Sequence, residues 1–514
     1  METLLTNLSI GFGAVLTFES FSLIGLTLSI PMNLLYCFLG AFIGTLIGVL
    51  PGLGPLATIA MLLPATYALP PLGGLIMLSG IYYGAMYGGS TTSILVNLPG
   101  EVASVVTTID GYQMARRGRA GVALATAAIA SLFAGCVATM LIAAFAIPLT
   151  EVAFKFGSTE YFSLMVLGLV GAIVLAKGSL VKSIATVCLG LLGGLVGTDI
   201  TSGVSRYAFD IPELSDGIGL VVVAMGVFGL AEVTMNVEQK EAREVFTKKV
   251  TGLFPSKDDY KRMIIPILRG TVLGSLLGIL PGGGAVLASF GAYALEKKVS
   301  KNRAEFGKGA IEGVAGPEAA NNAAAQTSFI PLLTLGLPSN AVMAMIVGAM
   351  MIHNIQPGPQ VMTNNPVLFW GLIVSMWFGN LMLLVLNLPL IGIWVKLLTV
   401  PYRFLYPAIL TFCCIGVYSV NNNTFDVLMT AGFGLLGYLF NKLDCEGAPL
   451  LLGFVLGPMM EENFRRSLRL ANGDFTVFFT RPLSLVMLVT ATVLVAIVTL
   501  PLIKFKREEA FREK

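Results

Sequence analysis

The sequence has 514 residues, of which 55% are hydrophobic and only 12% are charged, and its net charge is +3. Soluble domains carry about 25% charged residues, so this composition excludes a protein whose whole surface faces water. The small net charge gives no indication of a nucleic-acid partner. The six cysteines lie in mostly apolar segments without metal-ligand spacing, and no disulfide framework is expected.

The apolar segments predict an all-α polytopic membrane protein. Residues 120–149 and 483–502 stay apolar for the ~20 residues that a helix needs to cross a bilayer. Comparable segments recur and predict roughly 10–14 transmembrane helices, broken or re-entrant helices included. A β-barrel is not expected, because its strands alternate polar and apolar residues. The N-terminus lacks the basic segment and cleavage motif of a signal peptide, so we expect it to be retained.

Four clusters of Lys and Arg predict the cytoplasmic side by the positive-inside tendency. They lie at residues 116–119, 236–262, 296–312 and 504–514. Both termini are accordingly predicted to be cytoplasmic.

Four predicted spans separate the first two clusters, and an even number returns the chain to the same side. They are residues 120–148, 162–176, 181–196 and 217–235. This count places the acidic loop 198–216 outside. It also places residues 461–481 outside although they contain four arginines, which the sequence does not resolve.

The chain contains an internal repeat. Residues 44–54 and 274–284 match at seven of eleven positions and lie 230 positions apart. Further features follow in the same order in each half: Thr92-Ser93 and Leu98-Pro99-Gly100 in the first, Thr327-Ser328 and Leu337-Pro338-Ser339 in the second. Chance agreement of several features in one order is much less common than one chance match.

The predicted organisation has five parts. They are an N-terminal span in residues 1–30, repeat one in 31–235, a cytoplasmic linker in 236–262, repeat two in 263–503 and a cytoplasmic tail in 504–514. If residues 9–28 cross the membrane, repeat one begins outside and repeat two inside. The copies are then inverted, as in many secondary transporters. Parallel copies remain open if residues 9–28 do not span.

Each repeat carries a predicted broken helix, at residues 44–64 and 271–295. Proline removes a helix hydrogen bond and glycine accepts the dihedrals of a break. A broken helix exposes amide donors that can hold an anion and carbonyls that can hold a cation. Candidate substrate-binding glycines are Gly52, Gly54, Gly282 and Gly283. The alternative is a kink or hairpin without a ligand.

A polar island follows each break, at residues 88–93 and 319–328. Their hydroxyls and amides can bind a carboxylate or a sodium ion without burying a net charge. Together with two residues of the second Leu-Pro motif they give the remaining substrate-binding candidates: Ser90, Thr91, Thr92, Ser93, Asn321, Asn322, Thr327, Pro338 and Ser339. Close helix packing is the alternative explanation for the small residues.

Glu318, Asn97 and Asn340 are candidates for coupling to an ion. For Glu318 the alternative is structural, since a Pro-Glu pair suits the first turn of a helix. Glu101 and Asp110 are expected in or beside a cytoplasmic loop, where they would be solvated. The segments around the two breaks contain no Lys or Arg, so an anion there would be held by amides and hydroxyls.

These motifs resemble the large permease subunit of the tripartite tricarboxylate transporter family, the TctA-type subunit. The resemblance rests on residues 44–64, 87–118, 271–301 and 311–359. It implies a bacterial inner-membrane importer of organic carboxylates of the di- or tricarboxylate class, driven by a sodium or proton gradient through alternating access. It also implies two partners, a small membrane subunit and a periplasmic solute-binding protein, for which the acidic loop 198–216 is a candidate docking surface.

Two departures leave the substrate open. Gly316 stands where the family pattern has alanine before Pro-Glu, and Ser339 stands where it has glycine after Leu-Pro. No cofactor is expected beyond the coupling ion, and the ligands of a sodium ion are not identified. The carboxylate, the coupling ion and a homodimer also stay open, whereas contact with membrane lipid is expected.

An ion or solute channel and an intramembrane enzyme are the competing functions. A channel would share the polar islands but would not depend on a binding protein. Against an enzyme, the chain lacks H-E-x-x-H, G-x-S-x-G and Walker A motifs. His353 is the only histidine, so neither metal binding nor a histidine proton relay is expected.

Overall fold

The computed structural model describes residues 2–23, 26–50, 54–176, 179–199, 201–238, 252–280, 284–398 and 402–499. Three candidate glycines, Gly52, Gly282 and Gly283, and the predicted cytoplasmic tail lie outside the described residues. Within these ranges nearly all regular structure is helical, as the composition predicts.

The described residues form 23 α-helices and two short antiparallel strand pairs. The helices are α1 Glu2–Leu16, α2 Met32–Val49, α3 Pro55–Tyr67, α4 Pro71–Val96, α5 Val105–Met114, α6 Ala120–Ala153, α7 Ser158–Leu175, α8 Leu180–Gly194, α9 Leu220–Ala224, α10 Ala231–Glu238, α11 Lys257–Gly278, α12 Gly284–Val299, α13 Glu312–Thr327, α14 Phe329–Leu335, α15 Ala341–Ile352, α16 Gln360–Asn364, α17 Pro366–Asn387, α18 Ile391–Leu397, α19 Tyr402–Asn421, α20 Thr424–Lys442, α21 Ala448–Leu470, α22 Val477–Thr480 and α23 Pro482–Thr499. The strands are β1 Glu19–Leu23 paired with β2 Leu26–Ile30, and β3 Gly197–Thr198 paired with β4 Ser205–Arg206.

Six helical segments of the described chain are long and apolar enough to cross a membrane. They are Met32–Val49, Val102–Ala153, Ser158–Leu175, Leu220–Glu238, Pro366–Asn387 and Pro482–Thr499. Shorter apolar helices lie at Thr3–Leu16, Pro55–Tyr67, Leu180–Gly194, Ala341–Ile352 and Ile409–Asn421. The prediction of an all-α polytopic membrane protein is confirmed. The four spans predicted between 120 and 235 correspond to α6, α7, α8 and the α9–α10 segment.

The segment predicted as an N-terminal span, residues 9–28, is not one continuous helix. Helix α1 ends at Leu16, and β1 and β2 then form an antiparallel hairpin in which Glu19 pairs with Ile30. Residues 20–23 and 26–29 alternate polar and apolar side chains, which is the period of a strand. The 15 residues of α1 span about 22 Å at ~1.5 Å per residue, less than a ~30 Å hydrocarbon core. The N-terminal segment therefore does not indicate how the two repeats are oriented relative to each other.

Each half of the chain contains a closely packed helix pair built on glycines four residues apart. The glycines are Gly40, Gly44 and Gly48 on α2, which face α4, and Gly270, Gly274 and Gly278 on α11, which face α13. A methyl group added at Gly44 would lie 2.8 Å from Ile81 Cα, and one at Gly274 would lie 2.7 Å from Ala320 Cα. Small residues at this spacing let helix backbones approach within a membrane. The two copies of the sequence repeat therefore pack in the same way.

The helices end where the sequence places the two breaks. Helix α2 ends at Val49 and α3 begins at Pro55, while α11 ends at Gly278 and α12 begins at Gly284. In both halves the glycine helix runs parallel to its partner, because later glycines contact later residues of α4 or α13.

Other helices surround these pairs. Helix α6 packs against α13, α4 and α17, and α17 also contacts α1, α2 and α4. Helices α7, α8, α21 and α23 form a second group, and α20 packs on the α9–α10 segment. Helix α6 therefore lies against both glycine-packed pairs, and α17 lies against the first of them.

The acidic loop 198–216 and residues 461–481 lie on the same face of the protein. Arg465 donates to Asp199 Oδ2 at 2.8 Å, and Arg206 donates to Glu461 at 2.8 Å. These ion pairs agree with the count of spans, which placed both segments on one side of the membrane. Each pair joins an arginine of one segment to an acidic residue of the other. Which membrane surface this is stays a prediction.

Candidate functional site

The two polar islands meet at a buried carboxylate. Ser90, near the end of α4, donates to Glu318 Oε2 at 2.6 Å, and Thr107 of α5 donates to Glu318 Oε1. Glu318 lies in α13 and is 1% exposed. Residues more than 200 positions apart in the chain therefore form one polar cluster, which we call the central site.

Glu318 differs from most buried acidic residues in the described ranges in having no cationic partner there. Five other buried carboxylates pair with an arginine: Glu160 with Arg481, Asp199 with Arg465, Asp259 with Arg119, Glu296 with Arg269 and Glu312 with Arg262. Within the described ranges, no ion pair reaches Glu318 and no Lys or Arg side chain is buried. An uncompensated carboxylate in a membrane interior is costly and usually functional.

Glu101 is a second buried carboxylate of the central site, and the expectation that it is solvated is wrong. It is 8% exposed and caps the N-terminus of the short 3₁₀ turn Val102–Ser104 that follows α4. Its Oε1 accepts from Asn321 Nδ2 at 3.1 Å, and its Oε2 accepts from the Ala103 N–H at 2.6 Å. Within the part of the chain that the structure describes, Glu101 likewise forms no ion pair.

Asp110 is also fully buried rather than solvated. Its Oδ1 accepts from the N–H groups of Gly309 and Ala310 at 2.7 and 2.9 Å, and its Oδ2 accepts from Tyr293 OH at 2.9 Å. These three donors satisfy the carboxylate without an arginine. Asp110 of α5 thereby fixes the backbone that leads into α13, and so positions Glu318.

Two hydrogen bonds between the halves are related by one shift along the sequence. Asn321 donates to Glu101, and Asn340 Nδ2 donates to Tyr82 OH at 3.4 Å. Tyr82 and Asn321 lie 239 positions apart, and so do Glu101 and Asn340. Asn321 is therefore the counterpart of Tyr82, and Asn340 is the counterpart of Glu101. Each hydrogen bond joins a residue of one half to a residue of the other, and exchanging the two halves converts one bond into the other. A twofold axis between the halves has this property.

The backbone follows the same shift. Glu101 and Asn340 are both extended N-cap residues whose side chains accept a backbone N–H. Asn97 and Gly336, also 239 positions apart, both end a helix in the left-handed conformation, with φ of 59° and 72°. The two Leu-Pro motifs are also 239 positions apart. The spacing between Thr92-Ser93 and Thr327-Ser328 is 235 positions, which is four positions, or about one helical turn, shorter.

Helices α4 and α13 run in opposite directions at the central site. Ser90 contacts Glu318, while Tyr82, two turns earlier in α4, packs on Phe329 with ring centroids 6.4 Å apart. Later residues of α4 thus meet earlier residues of the α13–α14 segment.

Asn322 connects the central site to α6. Its Nδ2 donates to Ser131 Oγ at 2.7 Å and to the Glu318 carbonyl at 3.1 Å, while its Oδ1 has no partner among the described residues. Gln326, one turn later on α13, is 1% exposed, and neither of its side-chain polar atoms has a hydrogen bond within the described ranges. Buried amides are normally satisfied, so these orphan atoms are polar groups that a bound ligand or water could satisfy.

The other hydroxyl candidates of the islands are buried but mostly bond within their own half. Thr92 donates to the Val49 carbonyl at 2.6 Å at the end of α2, and Ser93 donates to Ser104 at 3.0 Å. Thr327 donates to the Ala323 carbonyl in its own helix. Thr91 lines a small cavity beside Ser90.

The remaining candidates are more scattered. Pro338 and Ser339 are buried, and Ser339 donates to the Ser328 carbonyl at 3.3 Å. The Gly54 N–H donates to Glu232 at 3.2 Å, so it faces α10 rather than the islands. Asn97 is exposed at the end of α4, away from the buried carboxylates.

Glu101, Thr107, Ser131 and Tyr82 were not predicted as site residues. A signal existed for Glu101, since it immediately follows Leu98-Pro99-Gly100 as Asn340 follows Leu337-Pro338-Ser339. No comparable sequence signal identifies Ser131, because its role comes from the crossing of α6 and α13.

A comparison with known families decides the identity of the chain. The model of the tripartite tricarboxylate transporter TctA family matches residues 34–452. This chain belongs to the TctA family. The TctA match covers both glycine-packed helix pairs and all the residues of the central site.

Two relatives from Agrobacterium vitis are similar over long stretches. The uncharacterized 52.8 kDa protein in the TAR-I ttuC' 3' region is 57% identical over 514 residues, which is 100% of both chains. The uncharacterized protein in the TAR-II ttuC' 3' region is 61% identical over 240 residues, 47% of this chain and 99% of that one. No solved structure shows significant similarity to this chain.

Membership identifies a component of a multi-subunit transport system. The TctA family is a transporter family named for a tripartite system, so partner subunits are expected as a class. The apolar helices make this component a multi-pass membrane protein.

Proposed function

We propose that this TctA-family protein is the permease subunit of a binding-protein-dependent secondary transporter. It imports organic carboxylates of the di- or tricarboxylate class across the bacterial inner membrane, with both termini in the cytoplasm. A periplasmic solute-binding protein delivers the substrate and a small membrane subunit completes the complex. The chain is a carrier rather than an enzyme.

The observation that carries this proposal is the pair of related hydrogen bonds between the halves, Asn321 to Glu101 and Asn340 to Tyr82. Parallel helix pairs within each half and opposed helices α4 and α13 between the halves support an inverted repeat. In transporters with inverted repeats the substrate site lies at the repeat interface near the midplane. We propose the central site, where residues of the two halves meet, as that substrate site.

Neutral donors of the second half are proposed to bind the carboxylate. Asn340 is the N-cap residue of helix α15. The N-terminus of a helix attracts negative charge through its free backbone N–H groups. Ser339 and Asn321 belong to the second half, and Asn321 Nδ2, which donates to Glu101, keeps a second N–H for the carboxylate. Asn322 offers its acceptor Oδ1 instead, because both of its N–H groups already donate to Ser131 and to the Glu318 carbonyl. A site without Lys or Arg can hold an anion loosely enough to release it.

Glu318 is proposed to bind the coupling ion, sodium or a proton. Its charge has no arginine partner in the described part of the chain, and a cation compensates that charge when it binds. Alternating access then exposes the loaded site first to one membrane surface and then to the other. An elevator-like movement of the two repeats against the surrounding helices is the motion that fold-level analogy suggests.

The acidic loop 198–216 is proposed as the docking surface for the binding protein. Asp199 is occupied by Arg465, but Asp210 and Glu213 are exposed, and Phe209 is 78% exposed beside them. A charged rim around an exposed aromatic side chain is a common feature of protein interfaces.

Uptake by proteoliposomes tests the proposed function. The chain is reconstituted with both partner subunits, and labelled mono-, di- and tricarboxylates are supplied under a sodium gradient, a proton gradient or neither. Accumulation of a di- or tricarboxylate that needs both the gradient and the binding protein is the expected result. Flux without the binding protein would identify a channel, and no flux of any carboxylate would overturn the proposal.

A variant links that uptake to the central site. Glu318→Gln keeps groups that can bond with Ser90 and Thr107 but removes the charge, so uptake per molecule should fall at least about tenfold. Glu160→Gln is the matched control, because Glu160 is also buried but pairs with Arg481 outside the central site. Equal uptake by the Glu318→Gln and Glu160→Gln proteins would remove Glu318 from the mechanism.

A further inference from the structure

A small cavity lies between α4, α6 and α17, next to the central site. Its polar wall consists of Tyr87, Ser90, Thr91, Ser131 and Asn387, and leucine and alanine side chains form the rest. The cavity has room for about one water-sized particle. Its polar groups come from three helices, so only the tertiary structure brings them together.

Two oxygens of this cavity have no hydrogen-bond partner among the described residues. They are Tyr87 OH and Asn387 Oδ1, in side chains that are 3% and 4% exposed. Asn387 Nδ2 donates to the Leu383 carbonyl at 2.9 Å, which fixes the orientation of the amide and leaves its oxygen free. Both oxygens can accept a hydrogen bond or coordinate a cation, so the cavity wall presents two open acceptor positions.

The donor set suits a monovalent cation. All five polar side chains of the wall offer an oxygen, and hydroxyl and amide oxygens are ligands of hard cations. None of the five carries a charge, whereas calcium sites recruit several carboxylates. The compensating charge lies one hydrogen bond away, since Ser90 donates to Glu318 at 2.6 Å.

A water molecule would satisfy the orphan oxygens but would leave Glu318 uncompensated. Buried charges need an opposite charge or several donors to offset the lost hydration. Among the described residues, the hydrogen-bond partners of Glu318 are the neutral hydroxyls of Ser90, Thr107 and Ser131, and none of them supplies an opposite charge. A cation in the cavity supplies the missing interaction.

We propose that the cavity between α4, α6 and α17 binds one sodium ion through Tyr87, Ser90, Thr91, Ser131 and Asn387, with Glu318 as the compensating charge. The proposal deepens the proposed function by naming the coupling ion and its ligands, and it rests on that function only for the coupling. Occupancy of the cavity would tie α6 and α17 to the end of α4, beside the substrate site.

Thermal unfolding of the purified full-length chain in detergent tests the site. Sodium chloride replaces choline chloride or potassium chloride at constant ionic strength, and Tm is measured by tryptophan fluorescence. Because sodium binds the folded state, Tm should rise saturably with sodium and much less with potassium. An equal response to sodium, potassium and choline, or no response, would overturn the site.

Variants connect the sodium response to the cavity. Tyr87→Phe removes one unpartnered oxygen and keeps the ring, and Asn387→Leu removes the other at similar volume. In each variant, the sodium concentration that produces half of the Tm shift should rise at least about tenfold. A tenfold rise corresponds to a loss of about 1.4 kcal/mol of sodium-binding free energy.

Asn380→Leu is the matched control. Asn380 lies two turns earlier on α17, is fully buried, donates to its own i−4 carbonyl and has an unpartnered oxygen, but it faces Gly135 rather than the cavity. Its sodium response should match that of the wild type. A response lost equally in Asn380→Leu and Asn387→Leu, or kept in Tyr87→Phe, would refute the assignment.

The outcomes separate this site from the proposed function. Sodium-specific stabilisation without carboxylate uptake in proteoliposomes would retain the site and reject the transport proposal. Carboxylate uptake driven by protons alone, with no sodium effect on Tm, would retain the transporter and reject the site.

Discussion

Two glutamates and three asparagines set the chemistry of the central site at the scale of single residues. Glu101 and Glu318 are buried and have no arginine partner among the described residues. Asn321, Asn322 and Asn340 reach across the two halves or to α6. Five other buried carboxylates have an arginine partner, so the protein can supply one when stability alone is required. The unpaired state of Glu101 and Glu318 therefore favours a functional role.

Asn322→Ala tests the amide that joins Glu318's helix to α6. Loss of one hydrogen bond costs about 1 kcal/mol of stability, whereas uptake should fall about tenfold because the polar contact with Ser131 is part of the site. Uptake in proteoliposomes is compared with protein abundance in the membrane.

The control for this variant is Asn463→Ala. Asn463 also donates to its own i−4 carbonyl, at 2.8 Å, but lies in α21 away from the central site. Uptake and abundance that fall together in Asn322→Ala would assign Asn322 a structural role.

At the scale of helices, the glycine-packed pairs bring the islands together. Without side chains at Gly44 and Gly274, α2 lies directly on α4 and α11 directly on α13. Each contact face is rigid backbone, so it holds the two long polar helices in a fixed register. The breaks after α2 and α11 end each glycine helix near the polar groups.

Gly44→Ala and Gly274→Ala should damage the two halves alike. The new methyl group meets backbone atoms of Ile81 or Ala320 that cannot turn aside, and overpacking of this kind costs about 1–3 kcal/mol or more. Both variants should show lower Tm and lower abundance in the membrane.

Gly432→Ala is the control, since a methyl group there meets no described residue within 4 Å. Its Tm should stay equal to that of the wild type or rise slightly, because alanine favours a helix over glycine. A wild-type Tm in Gly274→Ala would show that the α11–α13 contact is not tight.

At the scale of the whole molecule, ion pairs outside the membrane-spanning segments connect distant parts of the chain. Asp199 follows α8, and Arg465 lies in α21 near the far end of the chain. Hydrogen bonds from Arg465, then from Ser202 and the Thr201 N–H, hold the pKa of Asp199 well below its usual range. The pair therefore joins the acidic loop to the second helix group.

Asp199→Asn should lower Tm at neutral pH, and the difference should depend on pH. A depressed pKa in the folded state stabilises the protein above the ordinary aspartate pKa of about 4. That stabilisation is lost as the pH falls toward the depressed value, because the wild-type carboxylate then becomes protonated. The Tm gap between wild type and variant should accordingly shrink below about pH 4.

Asp210→Asn is the control for this measurement, since Asp210 is an exposed aspartate of the same loop. Its Tm should follow the wild type at every pH. A Tm gap for Asp199→Asn that is constant from neutral to acid pH would contradict the role of the Arg465 pair.

The sequence by itself determined the fold class, the family and the repeat, because hydropathy and glycine–proline spacing are local properties. It also selected Glu318, Ser90, Asn321 and Asn322. Residues 9–28 show the limit of that approach. Their average hydropathy predicted a membrane-spanning helix, whereas residues 20–23 and 26–29 alternate in polarity and lie in the two strands of a hairpin.

Only the tertiary structure decided which polar residues share the site. The sequence predicts Glu101 to be a solvated loop residue, whereas in the structure it is buried and accepts a hydrogen bond from Asn321. Ser131 and Asn387 lie in apolar helices, and no local sequence pattern identifies them as site residues. The reason is physical: helices that pack in opposed directions bring together residues more than 200 positions apart, and no local periodicity records which helix faces will meet.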